Sequence, residues 1–154
     1  MARNPYRRYE VTRYQKEALK HLKPPENISV TQWADKYRIV DARISAMPGP
    51  WRTEYTPYLK EIMDEFNNYE TEEIVYVKPT QVGGTECLQN MVGYIIQQDP
   101  APTMIVYPTD KLAESISENR IKPMIKASGG IKEKFFENDS SKLELQFDGM
   151  YLTL

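Results

Sequence analysis

The sequence predicts an α/β fold with parallel strands, and three neighbouring segments carry this prediction. Two short apolar runs rich in β-branched residues, 73–78 and 103–107, are typical of strands buried on both faces. Between them, apolar residues at i, i+3, i+4 and i+7 predict an amphipathic helix over 85–98. A strand, a helix and a second strand in this order form a βαβ unit, whose strands should run parallel. The predicted apolar helix face consists of Leu88, Met91, Val92 and Ile95.

Composition narrows the classes of function. The chain has 154 residues, a formal net charge of −2, one cysteine and one histidine. Because Cys87 is the single cysteine, the sequence excludes an internal disulfide framework and cysteine-based zinc sites. Because His21 is the single histidine, a Ser-His-Asp triad is not expected. The sequence has no apolar run of 18 residues and no secretory signal at its start. We therefore expect no membrane association and a reducing, cytoplasmic location.

The N-terminal end differs from the rest in charge. Residues 1–24 contain seven Lys or Arg residues against two Glu, and Pro24-Pro25 ends a possible helix there. We interpret residues 1–28 as a basic arm that either touches DNA phosphates or extends to a partner protein. Residues 29–72 are a predicted helical segment, and residues 73–154 the α/β part of the chain.

The helical segment contains two predicted helices. Ser29 or Thr31 can cap a short helix over 32–37, and residues 40–53 look irregular. Thr56 stands at an N-cap position before Pro57, which suits the first turn of a helix. The apolar face of this second helix is expected to be Leu59, Ile62, Met63 and Phe66.

The C-terminal third is predicted as a helix followed by a hairpin. Thr109 caps a helix from Asp110 to about Ile121, which can continue past Pro123 after a kink. Asp148-Gly149 is a two-residue turn signal between alternating apolar residues. Because the chain ends within the second strand of this hairpin, we expect an incomplete sheet. The alternating residues are Leu143, Leu145 and Phe147 before the turn, and Tyr151 and Leu152 begin the return.

The segment between the predicted strand and helix has the context of a phosphate-binding loop. It runs from Lys78 to Thr85 and opens a helix, whose first N–H groups lack intrahelical partners and can bind phosphate oxygens. Gly83 and Gly84 allow the backbone to approach a ligand closely. Thr85 can place its hydroxyl on a Mg²⁺ ion.

The loop matches the pattern G-x-x-x-x-G-K-[ST] only in part. Gly83 and Thr85 fill the second glycine and hydroxyl positions. Lys78 stands where the first glycine belongs, and Gly84 where the lysine belongs, so the lysine has moved to the other end of the loop. Because the loop curls around the phosphates, Lys78 can still reach them. An ordinary strand-to-helix turn with a Gly-Gly hinge is the competing interpretation.

This loop resembles the variant Walker A loop of phage terminase large subunits of the GpA (lambda-like) family. Four further blocks agree with the resemblance, in unbroken order over roughly residues 29–154, and five spaced blocks are more specific than one. The four blocks are 32–35 (QWAD), 49–59 (GPWRT, then TPYL), 107–110 (YPTD) and 120–124 (RIKPM).

The resemblance implies a P-loop NTPase-like core with three αβα layers and a site for ATP and Mg²⁺. Lys78 would contact the β- and γ-phosphates, Gly83 and Gly84 would cradle them together with Val82, and Thr85 would hold Mg²⁺. Gln81 falls where many such motors carry an arginine; it can donate a hydrogen bond to a phosphate but cannot neutralise its charge. The resemblance assigns no adenine-reading residue, although Trp51, Tyr55 or Tyr58 could stack on a base.

At the level of the whole protein, the resemblance implies an ATP-driven motor that packages double-stranded DNA into a procapsid, joined to a nuclease. Expected partners are double-stranded DNA, the small terminase subunit, the portal protein of the procapsid and further copies of the chain. Such a protein works in the host cytoplasm.

One element of an ATPase is missing from the sequence. A strand ending in Asp-Glu should help hold Mg²⁺ and position the attacking water, yet Asp64-Glu65 and Glu72-Glu73 follow no apolar strand, and Asp148 lies in a turn. We therefore expect no catalytic residue within the chain, an N-terminal fragment of the ATPase domain, and no activity alone. The alternatives are a non-catalytic structural or partner-binding module, or a helicase-like or kinase-like P-loop protein, whose own motifs are absent.

Overall fold

The computed structural model describes residues 12, 14, 15, 19, 24–43, 45 and 47–154. These residues form a mixture of helices and small sheets, which confirms the predicted class at that coarse level. The helices are α1 (Val30–Tyr37), α2 (Lys60–Glu65), α3 (Gly84–Gln98), α4 (Asp110–Ile116), α5 (Lys122–Ala127) and α6 (Gly129–Lys132). The strands are β1 (Ile39–Val40), β2 (Gly49–Pro50), β3 (Thr103–Met104), β4 (Glu144–Phe147) and β5 (Met150–Thr153). Short 3₁₀ turns occupy Thr53–Tyr55, Pro57–Leu59 and Glu137–Asp139.

Helix α1 is capped by Ser29, one of the two residues that the sequence offered as caps, and the cap is a capping box. The Ser29 hydroxyl accepts from the backbone N–H of Gln32, and the Gln32 side chain accepts from the backbone N–H of Ser29. Trp33, fully buried, packs its ring against Gly93 of α3, where a Cβ would overlap the indole. The indole N–H donates to the Gln97 side chain at 2.9 Å, so burial leaves this polar group satisfied.

The helix predicted to start at Thr56 is divided in two. Residues 57–59 form a 3₁₀ turn and α2 follows, while the Thr56 side chain makes no capping hydrogen bond. Leu59 and Met63 are fully buried as predicted, but Phe66, the C-cap residue of α2, is 38% exposed at the edge of the core.

The buried face of α3 is rotated from the predicted one. Val92 is buried, but Leu88 is 39% exposed and Ile96 is fully buried instead. The physical reason is the close packing of α1 on Gly93, which turns small and polar residues of α3 inward. Cys87, Gln89, Asn90 and Gln98 are buried with them.

The predicted strand at 73–78 was wrong for the described chain. The sheet that contains β3 has the order β3-β5-β4, and residues 73–78 belong to no strand. A strand requires a hydrogen-bonded neighbour, and none of the described strands lies beside this segment. Val75 and Val77 are 74% and 91% exposed, whereas Tyr76 is partly buried. The segment therefore has alternating exposure instead of burial on both faces.

Parallel pairing does occur, but with a different partner. β3 pairs in parallel with β5, with Thr103 opposite Leu152, and it spans two residues, not the five of the predicted run 103–107. β4 and β5 form the predicted antiparallel hairpin around Asp148-Gly149. The three-layer core that the resemblance implied stays a prediction.

The helical stretch after β3 is capped as predicted. The Thr109 hydroxyl accepts from the N–H of Leu112, and α4 then passes through a π-helical turn, Ser117–Ile121, into α5, which contains Pro123. Ser128 ends α5, and α6 follows directly.

Most of the predicted basic arm, including His21, lies outside the described residues. Among the residues that the structure describes, no helix has the length and apolar character needed to cross a membrane.

Candidate nucleotide-binding site

The side chain of Lys78 lies across the start of α3. A Cβ placed on Gly84 would overlap the Cδ and Cε atoms of Lys78 and lie 3.2 Å from its Nζ. Within the described part of the chain, Lys78 forms no ion pair. The geometry thus places an ammonium group beside the first turn of the helix, from the N-terminal end of the loop.

The loop backbone has two residues in the left-handed region. Gln81 has a φ of 62° and Gly83, the N-cap of α3, has a φ of 77°. For Gln81 this conformation is uncommon, and for Gly83 it carries little cost. Among the described residues, no protein acceptor binds the N–H groups of residues 82–85. Such a series of free N–H groups at a helix start is an anion-binding arrangement.

Residues before the loop hold it in place. The Tyr58 hydroxyl donates to the carbonyl oxygen of Val82 at 3.2 Å. Leu59 packs under the turn, since a Cβ on Gly83 would lie 3.2 Å from its Cδ1. The buried Thr56 hydroxyl has no hydrogen-bond partner in the described chain.

Thr85 is exposed on the first turn of α3. The described residues contain no group of three or more His, Cys, Asp or Glu side chains that could hold a metal ion. The Thr85 hydroxyl would therefore hold Mg²⁺ only as one ligand among others, such as phosphate oxygens and water.

Glu86, directly after Thr85, joins two arginines that the sequence analysis missed. Its Oε2 lies 2.8 Å from Nη2 of Arg38, and its Oε1 lies 3.5 Å from Nη1 of Arg120. Arg38 is 1% exposed; burial lowers its pKa, and the Glu86 charge opposes that change. The Arg38 guanidinium also donates to the Gln89 side chain at 3.0 Å. No local spacing could have revealed this cluster, because its members are far apart in the sequence.

A cleft of about 520 Å³ borders the loop on the Glu86 side. Two of the three aromatic residues proposed to stack on a base, Trp51 and Tyr55, line it beside Gly83. Tyr58 does not line this cleft and instead bonds to the loop backbone.

The blocks 32–35 and 49–59, which precede the loop in the sequence, contact each other directly. The Asp35 carboxylate accepts from the backbone N–H of Thr53 at 2.7 Å, and the Trp51 indole donates to the Thr53 hydroxyl at 3.0 Å. Trp33 and Trp51 are both buried, as anchors of the core. Two sequence blocks separated by an irregular segment are thus joined by hydrogen bonds to Thr53.

Cys87 is a packed side chain, not a reactive one. It is 2% exposed, and burial raises the pKa of its thiol to about 11. The start of α3 would favour a thiolate, but the surrounding apolar groups outweigh that effect.

Comparison with known proteins gives a consistent result. The profile of the family described as "Phage terminase large subunit gpA, ATPase domain" matches residues 45–154. The chain is 28% identical to the large terminase subunit of Enterobacteria phage P21 over 102 residues, or 66% of the chain and 16% of that protein. It is also 28% identical to the large terminase subunit of Escherichia phage lambda over 108 residues, or 70% of the chain and 16% of that protein. No solved structure matches.

The matched region contains the whole loop, the cleft-lining aromatics and the hairpin, and it spans about a sixth of the length of these curated relatives. The chain therefore belongs to the phage terminase large subunit gpA family, within whose ATPase domain the matched residues fall.

Proposed function

We propose that the chain supplies the phosphate-binding part of an ATP-driven DNA-packaging motor. The observation that carries the proposal is the position of Lys78, whose stem crosses Gly84 next to the free N–H groups of residues 82–85. A cation and a row of N–H donors at one helix start suit a polyphosphate. The family membership of residues 45–154 supports the same function.

The residues present fit ATP with Mg²⁺. Lys78 and the N–H groups of Val82, Gly83 and Gly84 would bind phosphate oxygens, and the Thr85 hydroxyl would be a Mg²⁺ ligand. Gln81 would add a neutral hydrogen bond. When bound, the metal ion would neutralise phosphate charge; the chain's own contribution is to hold and orient the phosphates.

The cleft beside Gly83 suits the base of the nucleotide. Its walls include Trp51 and the half-exposed Tyr55, which can stack on a planar ring. The cleft and the free N–H groups adjoin at Gly83, so a nucleotide could extend from one to the other.

At the level of the whole protein, we propose the packaging of double-stranded DNA into a procapsid in the host cytoplasm. The small terminase subunit, the portal protein and other copies of the chain would be partners. Residues 1–28 would form an arm, residues 29–72 a helical segment, and residues 73–154 the N-terminal part of a P-loop core. The family membership of residues 45–154 supports the packaging role, and the loop geometry supports the phosphate-binding part of it.

A non-catalytic, partner-binding role is the second candidate. The observation that favours it is the exposure of Val75 and Val77 in a segment that pairs with no described strand. A surface of this kind suits pairing with a further strand.

The test is nucleotide titration of the ¹⁵N-labelled chain in the presence of Mg²⁺. We expect amide shift changes at residues 82–85 on adding ATP, and their loss in Lys78→Ala. Lys132→Ala, which removes another exposed lysine from α6, should leave them unchanged. Absence of shift changes at residues 82–85, or changes that persist in Lys78→Ala, would contradict the nucleotide site and favour the partner-binding role.

A further inference from the structure

Arg120 contacts Glu86, the residue that directly follows the candidate phosphate loop, without being needed to neutralise its charge. Its guanidinium lies 3.5 Å from the Glu86 carboxylate, whereas the fully buried Arg38 holds the same carboxylate at 2.8 Å. The side chain of Arg120 is 36% exposed. Arg38 and Arg120 carry two positive charges, and Glu86 carries one negative charge. The excess positive charge is that of Arg120, which is held less closely and is accessible to solvent.

The backbone at Arg120 is unusual. Residues Ser117–Ile121 form a π-helical turn between α4 and α5. Such turns interrupt the regular direction of side chains along a helix and occur frequently at functional sites. Here the turn places Arg120 on the side of α3, near Tyr107 at the end of the segment that follows β3. Burial raises the pKa of the Tyr107 phenol, and the positive charge of Arg120 opposes that rise.

The loop itself lacks a second cation. Lys78 is the one charged side chain from residues 78–85, because Gln81 is neutral. A single lysine can suit one phosphate on the helix start, but a triphosphate brings further negative charge. Glu86, one residue beyond Thr85, adds a carboxylate to the same turn. The guanidinium of Arg120 would offset the negative charge of the phosphates and that of Glu86.

We propose that Arg120 leaves Glu86 when a di- or triphosphate binds and pairs with the phosphates, supplying the second positive charge that Gln81 cannot. This inference rests on the proposed nucleotide site. Arg38 stays on Glu86 throughout, so the carboxylate keeps a partner after Arg120 has moved. Arginine suits this role because its planar guanidinium can bind two phosphate oxygens at once.

The test compares ATP with AMP, in the presence of Mg²⁺, by calorimetric titration of the chain and of Arg120→Gln. We expect Arg120→Gln to weaken ATP binding about 10- to 100-fold, the usual value of one charge-assisted hydrogen bond, and to leave AMP binding unchanged. Arg120→Lys should recover part of the loss. Arg43→Gln, a matched change at an exposed arginine paired with Asp41, should change neither affinity.

Each outcome has a separate meaning. Equal weakening of ATP and AMP binding by Arg120→Gln would show that Arg120 only supports the fold, and unchanged ATP binding would show that it takes no part; both overturn the inference. If the unaltered chain binds neither nucleotide, or if binding survives Lys78→Ala, the proposed nucleotide site fails and the inference fails with it. ATP binding that depends on Lys78 but not on Arg120 refutes this inference and leaves the proposed nucleotide site in place.

Discussion

The stem of Lys78 fills the space that a side chain at Gly84 would occupy. A Cβ on Gly84 would overlap Cδ and Cε of Lys78. The loop departs from the common pattern at two positions, with Lys78 at the first and Gly84 at the seventh. These two departures depend on each other, because the Lys78 side chain needs the space beside Gly84. The glycine leaves room for the lysine side chain, which enters from the N-terminal end of the loop.

Gly84→Ala should consequently weaken phosphate binding without weakening the fold. The added methyl group would displace the Lys78 side chain, and the loss of a charged contact is worth roughly 1.5–3 kcal/mol. Because Gly84 is helical and alanine favours helix, unfolding free energy should stay level or rise by up to about 1 kcal/mol. Titration with pyrophosphate and urea unfolding measure the two effects.

The control for this variant is Gly129→Ala, at the first residue of α6, where a Cβ would meet nothing within 4 Å. It should alter stability alone. If Gly84→Ala acts through Lys78, adding it to Lys78→Ala should cause no further loss of binding. Additive losses would contradict the proposed contact.

Local signals predicted local structure well. The capping residues Ser29 and Thr109 and the turn at 148–149 are found as expected, because each depends only on nearby backbone groups. The loop glycines were also identified by pattern, and the structure gives Gly83 its left-handed conformation. These features need no information about distant parts of the chain.

Features that depend on distant partners were not predictable in the same way. The run 73–78 has the composition of a buried strand, but composition does not specify which strands lie beside it. The buried face of α3 is set by the packing of Trp33 on Gly93. The spacing of apolar residues within α3 does not contain this information. The Arg38–Glu86–Arg120 cluster joins three separate segments and has no sequence signature.

Gly83→Ala should destabilise the chain more than Gly149→Ala. Both glycines are left-handed, with φ values of 77° and 83°, so each substitution costs roughly 1–2 kcal/mol. At Gly83 the new Cβ would also lie 3.2 Å from the fully buried Leu59, whereas at Gly149 its nearest neighbour is an ordinary contact at 3.5 Å to Pro100. Urea unfolding of the two variants measures the difference, and equal losses would show that Leu59 yields freely.

Glu86→Gln should destabilise the fold by about 3–5 kcal/mol, because it leaves the buried Arg38 guanidinium without a counter-charge. The surface pair Lys142–Glu114 provides the control, and Glu114→Gln should cost at most about 1 kcal/mol. Replacing Arg38 with Met in the Glu86→Gln background should recover much of the stability. A cost for Glu86→Gln as small as the control's would show that Arg38 is well solvated.

Cys87 should make stability fall at alkaline pH. Its thiol has a pKa of about 11 in the folded chain, whereas an unfolded cysteine titrates near roughly 8.5. Below the unfolded value both states are protonated, and the full contribution is present. As the pH rises from there toward the pKa of the folded thiol, the unfolded state loses its proton first, so unfolding becomes easier.

The stability difference between the unaltered chain and Cys87→Ala should therefore shrink by about 2 kcal/mol between pH 7 and pH 10. Lysines and tyrosines titrate in the same range, but their contributions cancel in this difference. Urea unfolding of both proteins across that range measures it, and a difference that stays constant with pH would mean that the folded thiol ionises as readily as the unfolded one.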